Sequence, residues 1–467
     1  MNYPLVTIYI PNYNYGKYVK DAIESVLNQT YSNIELVIID DGSTDNSREV
    51  INEYRSHPKI KIIYQNNSGL NASNNIAMNV ANGKYIMRLD ADDFLVNSAV
   101  GIMSAILESE PDVGLVFPDY YYVDTSGKII GEEYRQNFER EVTLFDLPAH
   151  GACTMIRLEY LRNLGGYNET LECQDGYDLW IKFITNYKVT NVNKPLFYYR
   201  RHDNNLTNNE EKLIYTRRKI KEIFVNENKF KLPKCLAIIP VRRTFIDSTD
   251  LSIYKINGKT IYQMMAEEAL KSQKINLVVI TSSDENIINQ AKSMFNNNNQ
   301  VCVIKRPYEY EQYNISLIPT YQLVLDYLKE NNENEYEIIV SLAIEYPFIT
   351  YDVIDDAINT LVIFKADSVI GVRPDNSTYF QHNGHGMQPI LDQAKYTKYE
   401  RDALYKGISG ITVSTTDNFQ KNTKMVAGKI GHTVLEKRST FGVFTKFDFE
   451  IFNLLIQNDE LMTNKNK

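Results

Sequence analysis

The sequence predicts an α/β protein with two Rossmann-like domains, each built on a mainly parallel sheet. Short apolar runs alternate with amphipathic stretches, which is the pattern of strands and crossover helices in such sheets. The pattern of strand, loop, helix and strand starts again at Cys235. The length of 467 residues also exceeds the roughly 150 residues of a typical domain. We therefore expect domains at 1–230 and 231–467, with a connecting helix at 208–230.

In the first half, apolar runs predict strands and stretches of helical spacing predict helices. The predicted strands are 6–10, 35–40, 60–64, 85–90 and 113–117. The predicted helices are 19–29, 47–55, 72–80 and 98–108. A run rich in Lys, Arg and Glu at 211–229 also has helical spacing, and we expect it to present a solvated charged face. In the second half we expect strands at 235–241 and 277–281, and helices at 261–272 and 285–295.

Composition narrows the class of protein. The chain has 50 Lys and Arg against 59 Asp and Glu, which gives a net charge of −9. Because phosphate backbones require a basic face, this acidic balance argues against nucleic acid as a partner. The four cysteines are scattered without a C-x-x-C pair, which excludes a disulfide scaffold and a cysteine zinc site.

The chain shows no apolar stretch of the roughly 18 residues that a membrane span needs. Its start, MNYPLVTIYIPNYN, is typical of a strand and not of a signal peptide. We therefore expect a cytoplasmic protein without a transmembrane segment. Peripheral association with the inner face of a membrane stays open, and these features do not predict an oligomeric state.

Two carboxylates end the second predicted strand, in the run ELVIIDDGSTDNS. Asp40 and Asp41 lie at the carboxyl end of a strand, which is where ligands bind in open α/β sheets. They could hold a base or a ribose, while Gly42 lets the chain turn. The same residues also suit an ordinary turn with a helix cap, so this motif alone leaves both interpretations open.

A second carboxylate cluster follows in GKYIMRLDADD. Asp90 and Asp92 are two residues apart just past a strand, so both can face one ligand as the chain turns. Mg²⁺ and Mn²⁺ prefer such oxygens and share their shell with a diphosphate. The cluster lies one strand–helix–strand–helix unit after the first one, which makes a ligand site more plausible than a chance acidic loop.

Four motifs in order over residues 6–207 resemble family 2 glycosyltransferases of the GT-A fold. They are VTIYIPNYNYGKYVKDAIESVLNQTYSNIELVIIDDGSTD, GLNASNNIAMNVANGKYIMRLDADD, CQDGYDLWIKF and YYRRHDNNLT. The resemblance implies inverting, metal-dependent transfer of a sugar from a nucleotide-diphosphate sugar to a hydroxyl of a glycan, lipid-linked or protein acceptor. Its implied setting is the synthesis of surface polysaccharide, lipopolysaccharide or glycosylated protein.

The resemblance also implies roles for residues of the first half. The nucleotide contacts that it implies are Pro11, Tyr13, Asp40 and Asp41. The metal ligands are Asp90 and Asp92, with Mg²⁺ or Mn²⁺ as the cofactor. Asn74 is also expected to contact the nucleotide sugar, since it stands where the family often has an arginine that meets phosphate or base. Because an amide cannot supply that charge, the identity of the nucleotide stays open.

The remaining site residues are expected in the last two motifs. Inverting transfer needs a base within hydrogen-bond reach of the acceptor hydroxyl, and the family motif Glu-Asp-x-x-Leu-Trp favours Asp175, with Asp178 as the competitor. Both could instead be the cap and first-turn residue of a helix. After a following strand, we expect His202 to ligate the metal or meet the diphosphate, and Arg200 or Arg201 to neutralise the leaving group.

Residues 234–457 resemble cytidylyltransferases of the CMP-sugar synthetase type, through runs that include AIIPVR, VVITSSDENI, KRP and ADSVIGVRP. The glycines and lysines of the family's phosphate loop are absent, with Leu251 and Ser252 where a Lys-Asn pair is expected. Gly442 and Phe444 replace two metal-binding aspartates, and such a pair cannot hold Mg²⁺. We therefore expect a nucleotidyltransferase-like domain without catalytic activity. A bifunctional enzyme with CMP-sugar synthetase activity and a non-enzymatic sugar- or nucleotide-binding scaffold are the alternatives.

Overall fold

The computed structural model describes residues 3–133, 151–171, 173–202, 210–246, 248–312, 314–331, 335–375, 377, 379–382, 384, 386–389 and 404–465. The chain divides into two compact units. The first comprises Met1–Arg217 and Thr378–Asp402, and the second comprises Arg218–Ser377 and Ala403–Lys467. Both units contain a sheet whose central strands are parallel, which confirms the predicted α/β class.

In the first unit, the apolar runs form strands and the amphipathic stretches form helices, as their periodicity predicts. The strands are β1 (Val6–Asn12), β2 (Ile34–Asp41), β3 (Ile60–Gln65), β4 (Tyr85–Arg88), β5 (Phe94–Leu95), β6 (Val113–Val123), β7 (Ile129–Glu133), β8 (Met155–Arg157) and β9 (Lys188–Arg200). The helices are α1 (Val19–Leu27), α2 (Ser47–Asn52), α3 (Leu70–Val80), α4 (Ala99–Ser109), α5 (Leu158–Asn163) and α6 (Asp175–Asn186). Helix α7 (Glu210–Glu227) begins in the first unit and ends in the second.

The described strands of the first unit form a sheet in the order β3-β2-β1-β4-β8-β6-β9-β5, with β7 paired to β6. Strand β1 runs parallel to β2 and β4, whereas β8 is antiparallel to both β4 and β6. Side chains of β1 alternate between the two faces, so that Ile8 packs in one core cluster and Tyr9 in the other. Because β1, β2 and β4 are parallel, their carboxyl ends lie along one edge of the sheet. The predicted site residues follow these strand ends.

The remaining elements belong to the second unit, except for one hairpin of the first unit. The strands are β10 (Cys235–Pro240), β11 (Phe245–Ile246), β12 (Thr249–Asp250), β13 (Lys255–Ile256), β14 (Lys259–Thr260), β15 (Ile275–Ser282), β16 (Val301–Lys305), β17 (Ile338–Leu342), β18 (Ser368–Asp375), the first-unit hairpin β19 (Phe380–His382) and β20 (Met387–Pro389), β21 (Leu404–Thr415) and β22 (Ile430–Val434). The helices are α8 (Ile261–Lys271), α9 (Glu285–Met294), α10 (Ile318–Glu330), α11 (Tyr351–Phe364), α12 (Thr416–Asn422) and α13 (Lys446–Lys465), with a 3₁₀ helix at Tyr308–Glu311.

The main sheet of the second unit has the order β16-β15-β10-β17-β21-β18-β22. Strand β10 is parallel to β15 and β17, and β21 is antiparallel to β17 and β18. Among the helices that the structure describes in either unit, none combines the length and the apolar character of a membrane span.

Helix α7 differs from the solvated charged helix that its composition predicts. Nζ of Lys221 lies 2.6 Å from Oδ1 of Asp356 on α11, and both side chains are at most 5% exposed. Arg218, also buried, donates to Asp352 and to Glu436, each at 2.7 Å. These carboxylates allow the cations of α7 to be buried, because a buried charge needs a partner.

Candidate active site

The two carboxylates at the end of β2 are buried and hold the neighbouring loops. Asp40 accepts a hydrogen bond from Nδ2 of Asn12 at 3.2 Å and from Nε of Arg48 at 2.7 Å. Asp41 accepts one from the backbone N–H of Ser68 at 2.8 Å. Each carboxylate oxygen has two lone pairs. Both residues can therefore fix the loops and still accept hydrogen bonds from a ligand.

The loop after β1 is tied to the turn after β2. The hydroxyl oxygen of Ser43 accepts the backbone N–H of Asn14 at 3.0 Å. Gly42 has a φ of 78°, which favours glycine, and a Cβ there would come 2.7 Å from a backbone nitrogen of the loop after β3. Pro11 is partly buried near the end of β1, and Tyr13 is 46% exposed just beyond it. The ring of Tyr13 is therefore open to a ligand at this edge.

The turn after β4 concentrates carboxylates, and we call residues 90–93 the acidic turn. Burial raises the pKa of Asp90 to about 6, with the negative charges of Asp92 and Asp175 adding to it and Arg88 opposing. Burial, followed by the charges of Asp92 and Asp90, raises the pKa of Asp93 well above its usual range. A bound cation would relieve this repulsion, because an opposite charge favours the ionised form of a carboxyl group.

Strand β9 brings a histidine and an arginine to the acidic turn. Nε2 of His202 lies 2.9 Å from Oδ2 of Asp92, and its ring stacks on Tyr18 with centroids 5.8 Å apart. Arg200 donates from its backbone N–H to Asp93 Oδ1 at 2.9 Å and from Nε to the carbonyl oxygen of Asp92 at 2.8 Å. Arg200 therefore fixes the shape of the turn.

The two arginines at this position have different surroundings. Arg200 is the last residue of β9 and not part of the loop after it, and it is 2% exposed. Its Nη2 donates to Asp21 of α1 at 2.8 Å. The guanidinium of Arg201 is partly exposed and lies over the rings of Tyr122 and Tyr199, at 5.8 and 5.6 Å from their centroids. Arg201 is thus the more accessible of the pair.

Both candidate bases lie in the first turn of α6. Asp175 forms an ion pair with Arg88 of β4, whose Nε also lies 2.8 Å from Oδ1 of Asp90. Asp178 is buried and pairs through Oδ2 with Nζ of Lys182 at 2.7 Å, one helical turn further on. Asp175 is therefore the candidate joined to the acidic turn. The sequence motifs do not point to Arg88, and its position two residues before Asp90 is the one sequence feature that links it to the site.

Asn74 lies beneath the site and not at its surface. It is 0% exposed on α3, and its Oδ1 accepts the hydroxyl of Tyr9 at 3.1 Å. That hydroxyl also lies 3.2 Å from the hydroxyl of Tyr167. This placement differs from the predicted contact with phosphate or base, because α3 packs this face of the helix against β1.

A cavity of about 420 Å³ opens beside His202. The residues that line it are Asn14, Tyr15, Lys17, Tyr18, Asp45, Asn46 and His202. Burial, followed by the charges of the acidic turn, raises the pKa of Tyr15, so its hydroxyl stays protonated. A protonated hydroxyl and the ammonium of Lys17 suit the oxygens of a phosphate.

Within the described residues, no group of three or more His, Cys, Asp and Glu side chains forms a ready-made metal site. Asp92 lies beside the imidazole of His202, and Asp90 is two residues before Asp92 in the same turn. Carboxylate and imidazole groups are donors that Mg²⁺ or Mn²⁺ accepts. The buried Oδ2 of Asp93 has no hydrogen-bond partner among the described atoms. The chemistry of these donors, and not a preformed cluster, is what suits a divalent cation that shares its shell with a diphosphate.

Comparison with protein families finds two matches. Residues 7–165 match the model described as "Glycosyl transferase family 2", and residues 236–409 match the model described as "Cytidylyltransferase". The two matches lie in the two halves that the motifs predict.

Relatives with assigned names support the first match. The chain is 32% identical over 241 residues to an uncharacterized glycosyltransferase of Methanocaldococcus jannaschii, covering 49% of this chain and 83% of that protein. It is 33% identical over 228 residues to the chondroitin synthase of Pasteurella multocida, covering 48% of this chain and 23% of that protein. The chain spans only 21–28% of the length of the chondroitin and hyaluronan synthases that it matches.

Among solved structures, residues 1–349 of TarS from S. aureus in complex with UDP-GlcNAc resemble the chain with a TM-score of 0.41 and 18% identity. That likeness covers 47% of this chain and 66% of the TarS chain. The family match and the named relatives define an enzyme of the glycosyltransferase class. The chain belongs to glycosyltransferase family 2, and a cytidylyltransferase-like domain follows, which confirms both predicted resemblances.

Proposed function

We propose that this protein is an inverting, metal-dependent glycosyltransferase that moves a sugar from a nucleotide-diphosphate sugar to a hydroxyl acceptor. The observation that carries the proposal is the connection of the acidic turn to Asp175 through Arg88. Inversion needs a base for the attacking hydroxyl and, on the other side of the sugar carbon, stabilisation of the departing diphosphate. The connected groups supply both.

In the proposed reaction, Asp175 takes the proton of the acceptor hydroxyl as that oxygen bonds to the anomeric carbon and the bond to the diphosphate breaks. Asp90, Asp92 and His202 would hold Mg²⁺ or Mn²⁺, which would supply positive charge to the departing diphosphate. Arg201 is the arginine that we assign to the leaving group, because Arg200 is buried in the support of the turn.

Asp178 is the alternative base. Both carboxylates pair with a cation, but the side chain of Asp178 is more deeply buried, at 6% exposed against 12% for Asp175, which makes it the weaker candidate. Pro11, Tyr13, Asp40 and Asp41 are proposed to contact the nucleotide, whereas the buried Asn74 is proposed to support the site from below.

The names of the relatives support a place in glycan synthesis, because chondroitin synthases and a hyaluronan synthase are among them. We therefore propose a glycan, lipid-linked or protein acceptor, within the synthesis of surface polysaccharide, lipopolysaccharide or glycosylated protein. The proposed location is the cytoplasm, with peripheral association at the inner face of the membrane.

For the second domain, proposed as 231–467, we infer that it does not transfer cytidylyl groups. Leu251 and Ser252 are both 0% exposed and take the place of the expected Lys-Asn pair. Phe444, 58% exposed, stands where a metal-binding aspartate is expected. A role in binding or in stabilising the chain fits these residues better than catalysis.

The test of the proposed function is a screen of UDP-sugars and GDP-sugars with the full chain, with Mn²⁺, with Mg²⁺ and with EDTA. We expect one donor to be broken down to its nucleoside diphosphate only when a cation is present. The same nucleotide should raise the melting temperature, because a ligand that binds the native state stabilises it by mass action.

Three outcomes would contradict parts of the proposal. Full turnover in EDTA would contradict metal dependence, and a product with the anomeric configuration of the donor would contradict inversion. Release of pyrophosphate from CTP in the presence of an acidic sugar would contradict the inactive second domain.

A further inference from the structure

Arg88 is a buried arginine to which the sequence motifs give no role. It is the last residue of β4, and its side chain is 6% exposed. Its Nε lies 2.8 Å from Oδ1 of Asp90, and its Nη1 contacts Oδ2 of Asp175 at the start of α6. One guanidinium therefore joins two carboxylates that the proposed reaction uses on opposite sides of the sugar carbon.

The chain leaves space for this side chain. A Cβ at Gly151 would come 2.4 Å from Nη2 of Arg88 and 3.0 Å from its Cζ. The φ of Gly151 is outside the left-handed region, so the close approach of Arg88 is what requires glycine here. The backbone N–H of Cys153 donates to the carbonyl oxygen of Arg88 at 2.7 Å, which holds the segment after Gly151 beside β4.

The positive charge of Arg88 affects how the acidic turn binds a cation. Arginine keeps its positive charge inside proteins, and here the guanidinium lies against the carboxylates of Asp90 and Asp175. The guanidinium is thus charged, and it competes with any other cation for the carboxylate of Asp90.

We propose that Arg88 is a positioning residue, which sets the place of Asp175 relative to the acidic turn and lowers the affinity of that turn for a divalent cation. This inference rests on the proposed function. The planar fork of a guanidinium can engage two carboxylates at once, whereas the ammonium of lysine is a single point charge. Substitutions at this position can therefore distinguish the effect of the positive charge from the effect of contacting Asp90 and Asp175 at the same time.

The test combines Mn²⁺ binding with donor turnover in the full chain. The dissociation constant of Mn²⁺ alone is measured from the electron paramagnetic resonance signal of the free ion. Turnover is measured as release of nucleoside diphosphate from the donor that the wild type consumes. The variants are Arg88→Met, which removes charge and bridge, Arg88→Lys, which keeps the charge, and Gly151→Ala, which displaces the guanidinium without changing any charge.

We expect Arg88→Met to bind Mn²⁺ about threefold to tenfold more tightly than the wild type, because a competing positive charge is gone. Its turnover should fall about tenfold to a hundredfold, as expected for a misplaced reacting group. Arg88→Lys and Gly151→Ala should stay within about twofold of the wild type in Mn²⁺ binding, yet lose about tenfold in turnover. A merely structural defect would weaken Mn²⁺ binding and turnover together.

Unchanged or weaker Mn²⁺ binding in a folded Arg88→Met protein would overturn the inference, as would wild-type turnover in Arg88→Lys. If Arg88→Met does not fold, the other two variants decide: turnover lost with Mn²⁺ binding kept within about twofold supports the positioning role, and both weakened together overturns it. A wild type that binds no Mn²⁺ and consumes no donor would overturn the proposed function itself. If the wild type binds Mn²⁺ and consumes a donor, and the Arg88 variants equal it in both measurements, this inference alone would be overturned.

Discussion

The two sheets place different chemistry at equivalent strand ends. In the first unit β1 lies between the parallel strands β2 and β4, and in the second unit β10 lies between the parallel strands β15 and β17. Strand β2 ends in Asp40 and Asp41, whereas β15 ends in Thr281 and Ser282. Strand β17 is the counterpart of β4 in the second unit. The acidic turn follows β4, whereas the three residues after β17 include one carboxylate, that of Glu345.

The edge of the second sheet is also occupied by the unit's own charges. Arg306 follows β16 and is 2% exposed, and its Nη2 lies 3.2 Å from both Glu311 and the carbonyl oxygen of Val241. Ser283 also donates to Glu311. The topology thus supplies the place for a ligand, while the residues at the strand ends decide whether chemistry occurs there.

The largest effect is expected when a carboxylate is removed from the edge of the first sheet. Asp92→Ala should lower donor turnover at least about a thousandfold, since cation binding supplies several kcal/mol of charge stabilisation. Glu345→Ala, at the corresponding edge of the second unit, is the matched control and should leave turnover unchanged. Release of nucleoside diphosphate from the donor measures both.

An Asp92→Ala protein that keeps full turnover would contradict the role of the acidic turn. Loss of turnover in Glu345→Ala would show instead that the second edge takes part in the reaction.

A smaller effect is expected from the two candidate bases of the first unit. Asp175→Asn should lower transfer about a hundredfold to a thousandfold, the range expected for loss of a general base, and leave Mn²⁺ binding within about twofold. Asp178→Asn is the control, and its effect on transfer should be less than tenfold because this carboxylate is more deeply buried than that of Asp175. The reverse order of the two losses would make Asp178 the base.

A third prediction tests whether buried charge in the second unit acts through stability. Lys221→Ala leaves the carboxylate of Asp356 buried without its cation, which should cost about 3 kcal/mol of the free energy of unfolding. Lys20→Ala breaks an exposed pair with Glu53, 3.7 Å apart, and should cost less than about 1 kcal/mol. Calorimetry of both variants measures the difference, and equal losses would contradict the buried pair as a stabilising element.

The smallest expected effect concerns a carboxyl group of the second unit whose pKa is near that of Asp90. Burial, with the charge of Glu222 adding to it and Ser272 and Lys274 opposing, raises the pKa of Asp355 to about 6. Since the unfolded value is about 3.9, the folded state binds more protons between these values. Stability contributed by this group is therefore highest at low pH and falls as the pH rises from about 4 to about 6.

Asp355→Asn should remove this pH dependence of the free energy of unfolding. The expected change is about 1 kcal/mol, since the group is partly exposed to solvent. Melting temperatures of the wild type and the variant between pH 4 and pH 7 measure it. Asp355→Asn should also leave Mn²⁺ binding unchanged, which separates this structural carboxyl group from Asp90. Parallel pH profiles of the two proteins would contradict the raised pKa.

Much of the fold could be predicted because its signals are local. The apolar periodicity of 6–10 and 35–40 matches β1 and β2 within a few residues, since each strand is buried on both faces. The rule that parallel strands end at one edge then predicts a common position for Asp40 and Asp90.

What the sequence could not reveal depends on contacts between distant parts of the chain. The pairing of Arg88 with Asp175 requires the start of α6 to lie beside the end of β4, and no local pattern encodes that. The charged run of α7 has a solvent-facing composition, yet Lys221 is buried because α11 supplies Asp356. Arg200 likewise looks like a loop residue, and only the sheet shows that β9 extends to include it.

The hydrogen bonds of Arg200 determine how the segments around the site unfold locally. Its hydrogen bonds join α1 through Asp21, the acidic turn through Asp92 and Asp93, and the turn after β6 through Thr125. Opening any one of these segments breaks bonds that hold the others. In hydrogen exchange, their amides should therefore lose protection in one cooperative step. The acidic turn cannot fray by itself, so its carboxylates are held in place before any donor arrives.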